Sequence, residues 1–174
     1  TTTVSGAVSA LGDGTGAALT VDNAAVGLVD FQGTFGANSG LSAGAATSVK
    51  FAQDVTLADG DTATSLAGAV TLDGLNWSGY DGLTIGALTL STGAVDLNSN
   101  GGNIALTSIA GGSQDLSLNA GVAAGITAAQ SPIADGVVER EISATGRLRI
   151  GGSYGIGIRK GPSYPGDRTG DSVE

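Results

Sequence analysis

Gly68-Ala69-Val70-Thr71-Leu72 returns as Gly86-Ala87-Leu88-Thr89-Leu90 and again as Gly93-Ala94-Val95-Asp96-Leu97. The heart of the phrase is a triplet, apolar–x–apolar. It recurs as Val55-Thr56-Leu57, Leu83-Thr84-Ile85, Ile104-Ala105-Leu106 and Leu116-Ser117-Leu118. Side chains alternate faces along a strand, so each triplet buries its outer two members and exposes the middle one. Between triplets lie Ala58-Asp59-Gly60-Asp61, the run from Asn98 to Asn103, and Ala110-Gly111-Gly112-Ser113. Gly, Asn and Asp are the residues that turns require. Ala-rich runs such as Ala43 to Ala46 contain Gly44 and lie beside Ser and Thr, which disfavours a helix. Short strands between tight turns are therefore the expected local structure.

Strands of about three to five residues, repeated many times, leave few architectures. A sandwich or barrel uses longer strands and more aromatic bulk than the 4% present here. A β-solenoid needs neither, because coils stack about 4.8 Å apart and small inward Val, Leu, Ile and Ala fill a narrow core. The fold class expected is all-β, a parallel β-solenoid (β-helix) of short Gly-rich coils with a divergent C-terminal segment. At roughly 20 to 25 residues per coil the chain would make about six or seven coils. Successive triplets are spaced 15, 13, 5, 7, 9 and 12 residues apart, so no single coil register emerges.

Composition excludes much chemistry. The 174 residues include no His, Cys or Met, which removes imidazole bases, thiolate nucleophiles, disulfides and the usual zinc and haem ligands. A net charge of −9 repels phosphate backbones, so nucleic acid is not expected as a partner. No stretch reaches the roughly 18 apolar residues of a membrane span. The chain opens at Thr1 with no basic-then-apolar leader, and it reads as a mature product or an excised fragment. Charge divides it in two. Residues 1–138 hold one cation, Lys50, against eleven Asp; residues 139–174 hold six cations against five acids, together with all three Glu. The expected organisation is a β-solenoid repeat region over 1–138 and a charged cap, connector or partly disordered tail over 139–174.

The segment Val55 to Gly121 resembles the repeats of filamentous-haemagglutinin-like and related β-strand-repeat bacterial secreted surface proteins. Gly102-Asn103-Ile104-Ala105-Leu106-Thr107 and Gln114-Asp115-Leu116-Ser117-Leu118-Asn119-Ala120-Gly121 carry the likeness most closely. It covers these 67 residues well, residues 1–54 loosely and residues 139–174 not at all. The resemblance implies a right-handed parallel β-helix, export across the cell envelope, and a surface or adhesive role without catalysis.

Four triplets place Thr at the middle position: Thr56, Thr71, Thr84 and Thr89. Stacked, they would form a ladder on one face and serve as surface contacts, although Thr is also simply a good strand residue. An ice-binding face would need flat, regular Thr rows, and the spacing and Asp96 argue against one. Trp77 and Tyr80, in the turn-like Leu75–Gly82, could stack on a sugar ring or cover a coil edge. The clusters Gly12–Gly16, Asp59–Asp61 and Asn98–Asn103 read first as turns. Gly111–Leu116 departs from a calcium-roll motif, so no cofactor is expected beyond incidental calcium. Eleven Asp leave a catalytic carboxylate pair conceivable, but nothing singles one out.

In the tail, Leu148, Ile150, Tyr154, Ile156 and Ile158 alternate with polar or Gly positions and suggest one or two further strands. Arg147, Arg149, Tyr154, Arg159 and Lys160 are the candidate assembly contacts. A solenoid end must be capped against endless stacking, and this tail could cap it or join copies end to end. The function expected is a non-catalytic extracellular structural or adhesive segment at the bacterial surface, meeting a glycan or protein. The alternative is a self-assembling filament subunit whose partner is further copies of itself, a homopolymer. An ice-binding or polysaccharide-active solenoid stands third.

Overall fold

The computed structural model describes residues 1–22, 27–110, 114–121, 124–128 and, as backbone alone, 147–150. The described residues contain no helix. They form a parallel β-solenoid of about five turns, with the strands in six stacked tiers.

Each turn has three strand positions. β1 (Thr2–Val4), β2 (Val8–Leu11) and β3 (Leu19–Val21) make the first tier, and β4 (Leu28–Phe31), β5 (Phe35–Ala37) and β6 (Leu41–Ala43) the second. β7 (Ser48–Phe51) and β8 (Val55–Leu57) begin the third, which the first half of β9 (Thr64–Leu72) completes. The second half of β9 then starts the fourth tier, with β10 (Asn76–Ser78) and the first half of β11 (Leu83–Leu90). The pattern repeats through β12 (Val95–Asn98), β13 (Ile104–Ala110), β14 (Leu116–Asn119) and β15 (Ile126–Ala128). β16 (Arg147–Ile150) lies across the last strand of the second face.

Backbone pairing shows the three stacks. On the first face Val29 pairs with Val49, Val49 with Val70, and Val70 with Leu88. On the second, Phe35 pairs with Val55, Val55 with Trp77, and Val95 with Leu116. On the third, Leu19 pairs with Leu41, Thr64 with Leu83, and Leu83 with Ile104. The triplets recognised in the sequence thus belong to three interleaved stacks. That is why their linear spacing is irregular while the spacing within a stack stays near twenty residues.

From the third tier onward the third and first faces share a single strand, so β9 runs nine residues and β11 eight. In β9 and β11 the junction between the two faces falls at Gly68 and Gly86, where the chain runs close to the preceding tier. A Cβ on Gly68 would lie 1.9 Å from the Thr47 carbonyl oxygen, and one on Gly86 would lie 2.3 Å from that of Ala67. At both positions a neighbouring backbone occupies the space that any side chain would need.

The core is a column of inward side chains. Val55, Leu72, Ile85, Ile104 and Leu116 are each at most 1% exposed. All three Phe and the single Trp gather between the second and fourth tiers. Phe31 stacks on Phe51 with centroids 5.1 Å apart and planes at 12°, and Phe35 meets Phe51 edge-on at 5.6 Å. Thr64 is a polar residue at an inward strand position, 2% exposed; its Oγ1 accepts a hydrogen bond from the Leu41 backbone N–H at 3.2 Å.

Candidate functional surface

The middle residue of each triplet points outward, and parallel stacking sets these residues in columns. On the third face Thr20 pairs with Ser42, Ser42 with Ser65, Ser65 with Thr84, Thr84 with Ala105, and Ala105 with Thr127. Five of these six positions carry a hydroxyl. On the first face the column runs Asp30, Lys50, Thr71, Thr89, Ala110. Between the two columns Ala69, Ala87 and Ser108 stand opposite one another. Because β9, β11 and β13 span both faces, their outward residues form one continuous surface of Ala, Ser and Thr. Ser65, Ala69, Thr84, Ala87, Thr89 and Thr107 are exposed on it.

Three of the four expected Thr contacts meet here. Thr71 stands directly opposite Thr89, and Thr84 lies two columns away on the same sheet, beyond Ala87. Thr56 does not join them. It is exposed on the second face, in a column with Gly36, Ser78, Asn98 and Asn119. Asp96 also belongs to the second face, opposite Asn76 and Ser117, so it does not interrupt the Thr surface. Ser65, the partner of Thr84, and Ser42, the next residue in the same column, are ones that sequence reasoning missed. The triplets Leu19-Thr20-Val21 and Leu41-Ser42-Ala43 do fit the apolar–x–apolar rule, and following it into the first 54 residues would have found that column.

Trp77 corrects an expectation. It lies in the core at 2% exposure, opposite Val55, with its ring edge-on to Phe51 at 5.4 Å. The physical reason is the same alternation that governs the triplets: in Leu75-Asn76-Trp77 the outer two residues are buried and Asn76 is exposed. Tyr80 sits in the following loop at 38% exposure. The two rings therefore do not form a joint stacking surface.

The polar clusters direct their oxygens to the backbone. The Asn98 side-chain oxygen accepts from the Asn100 N–H at 3.0 Å, and one tier later the Asn119 oxygen accepts from the Gly121 N–H at 3.2 Å. Asp13 accepts from both the hydroxyl and the N–H of Thr15, which hold its carboxyl below the usual carboxylate range. Among the described residues no group of three or more His, Cys, Asp or Glu is gathered as a metal ion would require. The calcium-roll comparison at Gly111–Leu116 falls partly outside the described residues.

The charged border of the Thr surface is built tier to tier. Lys50 reaches Asp73 at 3.1 Å, and the Asp73 carboxylate also accepts from the Thr92 hydroxyl at 2.6 Å. Hydrogen bonds from Thr92 and Ser91, with Lys50 beside them, depress the Asp73 pKa. No described helix is long and apolar enough to cross a membrane. Of the expected assembly contacts, Arg147 and Arg149 lie on β16, where the register sets them opposite Asn119 and Ser117. Tyr154, Arg159 and Lys160 lie outside the described residues, as does the boundary expected near residue 138. Comparison with protein-family models, curated proteins and solved structures finds no match.

Proposed function

We propose that this chain is a non-catalytic structural segment of the bacterial cell surface, a stiff extracellular rod that displays a hydroxyl-rich face to a glycan or protein partner. The observation that carries this reading is the register of the outward columns, Ser65 opposite Thr84 and Thr71 opposite Thr89. Such a face repeats one weak contact every tier, and repetition converts weak contacts into usable avidity. The wording of residues 55–121, similar to filamentous-haemagglutinin-like repeats, supports an exported, adhesive setting. The cysteine-free, acidic composition is compatible with it.

The test is binding to immobilised glycans and to intact cells, with Thr84→Lys and Thr71→Lys as paired variants. Loss of binding with an unchanged β-sheet spectrum supports the display face; binding that ignores both substitutions rejects it.

A second reading, a filament subunit, draws on the first tier. Val4, Val8, Leu11, Leu19 and Val21 are only half-buried against the core. An end of this kind can accept another coil. Electron microscopy across a concentration series separates the readings, by uniform long fibres or short monomeric rods.

A further inference from the structure

Every strand pairing among the described residues is parallel except one. β16 runs antiparallel to β14 in unbroken register, with Leu116 opposite Ile150, Ser117 opposite Arg149, Leu118 opposite Leu148 and Asn119 opposite Arg147. β14 is the last parallel strand of the second face, and β16 pairs with it over its full length. The sequence of β16 matches that place. Its apolar positions, 148 and 150, stand across from Leu118 and Leu116, which are 0% exposed, and its two Arg stand across from partly exposed Ser117 and Asn119.

The opposite end of the same stack has the complementary form. Among the described residues β2 pairs on one side only, with β5, and runs parallel to the rest of its face. A second copy placing its β2 on a bare β14 would continue the face in the same direction, with Val8 and Leu11 brought over an end of the core. That contact joins unlike surfaces and does not close on itself, so it propagates into a fibre.

We propose that β16 is a stop strand that prevents a second copy from stacking head-to-tail on β14. It does so in two ways. It takes up the hydrogen-bonding edge of β14, and it presents outward a strand of reversed polarity, on which β2 would no longer find the parallel pairing that builds every other step. The inference stands on strand pairing and is independent of what the rod's side displays. Under it, the filament becomes a state reached only when β16 is displaced.

The experiment uses the full chain carrying Leu148→Pro and Arg149→Pro. Consecutive residues of an antiparallel strand alternate between facing the partner and facing away, so two successive prolines remove at least one ladder N–H. A second variant, Ser117→Cys with Arg149→Cys, places two thiols on opposed residues whose Cα atoms are about 4.5–5.5 Å apart in any antiparallel pair, within disulfide reach. The native chain has no Cys to confuse that crosslink.

Light scattering should show the native chain staying at its monomer mass of 16.7 kDa. The proline variant should rise about twofold or more with concentration, as heterologous stacking requires, and form lengthening rods by electron microscopy. The oxidised cysteine variant should crosslink within one chain and stay monomeric. A proline variant that remains monomeric, or that gives shapeless aggregates in place of rods, overturns the proposal. So does a native chain that polymerises equally well, or a cysteine pair that does not close.

Discussion

The Trp77 indole stands edge-on to the Phe51 ring, with centroids 5.4 Å apart and planes at 88°. This contact ties the second face of one tier to the first face of the tier before it. Trp77→Ala removes the largest fully buried side chain and should cost about 3–5 kcal/mol. Trp77→Phe should cost a fraction of that. Chemical denaturation followed by circular dichroism measures both. The native chain, with its single Trp, should also show emission that moves to longer wavelength only when the fold is lost.

Thr64 should tolerate its conservative isostere poorly. Thr64→Val keeps the shape and removes the oxygen that accepts the buried Leu41 N–H. A buried donor left without a partner costs about 1–3 kcal/mol, whereas Thr64→Ser should retain the bond and lose less. The difference between the two variants in denaturant midpoint is the readout.

Gly86→Ala should destabilise although Ala is the better residue in most contexts. Its methyl group would meet the Ala67 and Gly68 carbonyl oxygens at 2.3 and 2.7 Å, and neither belongs to a flexible side chain. An overpacked site of this kind costs about 1–3 kcal/mol. Gly6, where a Cβ would have nothing within 4 Å, is the control that should be close to neutral.

Acid should weaken the stack through Asp73. Its pKa is depressed in the folded state, so its contribution is complete above the ordinary carboxylate value and is lost as pH falls through the folded value. Asp73→Asn should therefore lower stability at pH 7 and narrow the loss between pH 7 and pH 3. Parallel melts of the native chain and the variant at the two pH values test this; identical slopes would remove Asp73 from the account.

The strands are legible in the sequence because an apolar–x–apolar triplet is the smallest unit that alternation can mark. Val55-Thr56-Leu57 and Leu116-Ser117-Leu118 need nothing more. The coil register is hidden because three stacks share one line of sequence: Leu83 and Leu88 are five residues apart yet sit on different faces. The merging of two faces into β9 and β11 is also unreadable, since the junctions at Gly68 and Gly86 are set by backbone that is remote in sequence. Trp77 misleads because an aromatic in a Gly-, Asn- and Ser-rich stretch reads as surface. The triplet that contains it, Leu75-Asn76-Trp77, obeys the general rule. Thr71, Thr84 and Thr89 are candidates by sequence alone, but that Thr71 faces Thr89 and Thr84 faces Ser65 emerges only from the pairing.

The backbone hydrogen bonds between tiers lie along the axis of the stack, which gives the molecule an unusual answer to mechanical load. Tension applied between its two ends pulls on those bonds in series rather than shearing strands past one another. The weakest tier should then part first, and each one that opens releases roughly 20 residues, about 70 Å of extended chain. A rod built this way should lengthen under load in steps of nearly equal size.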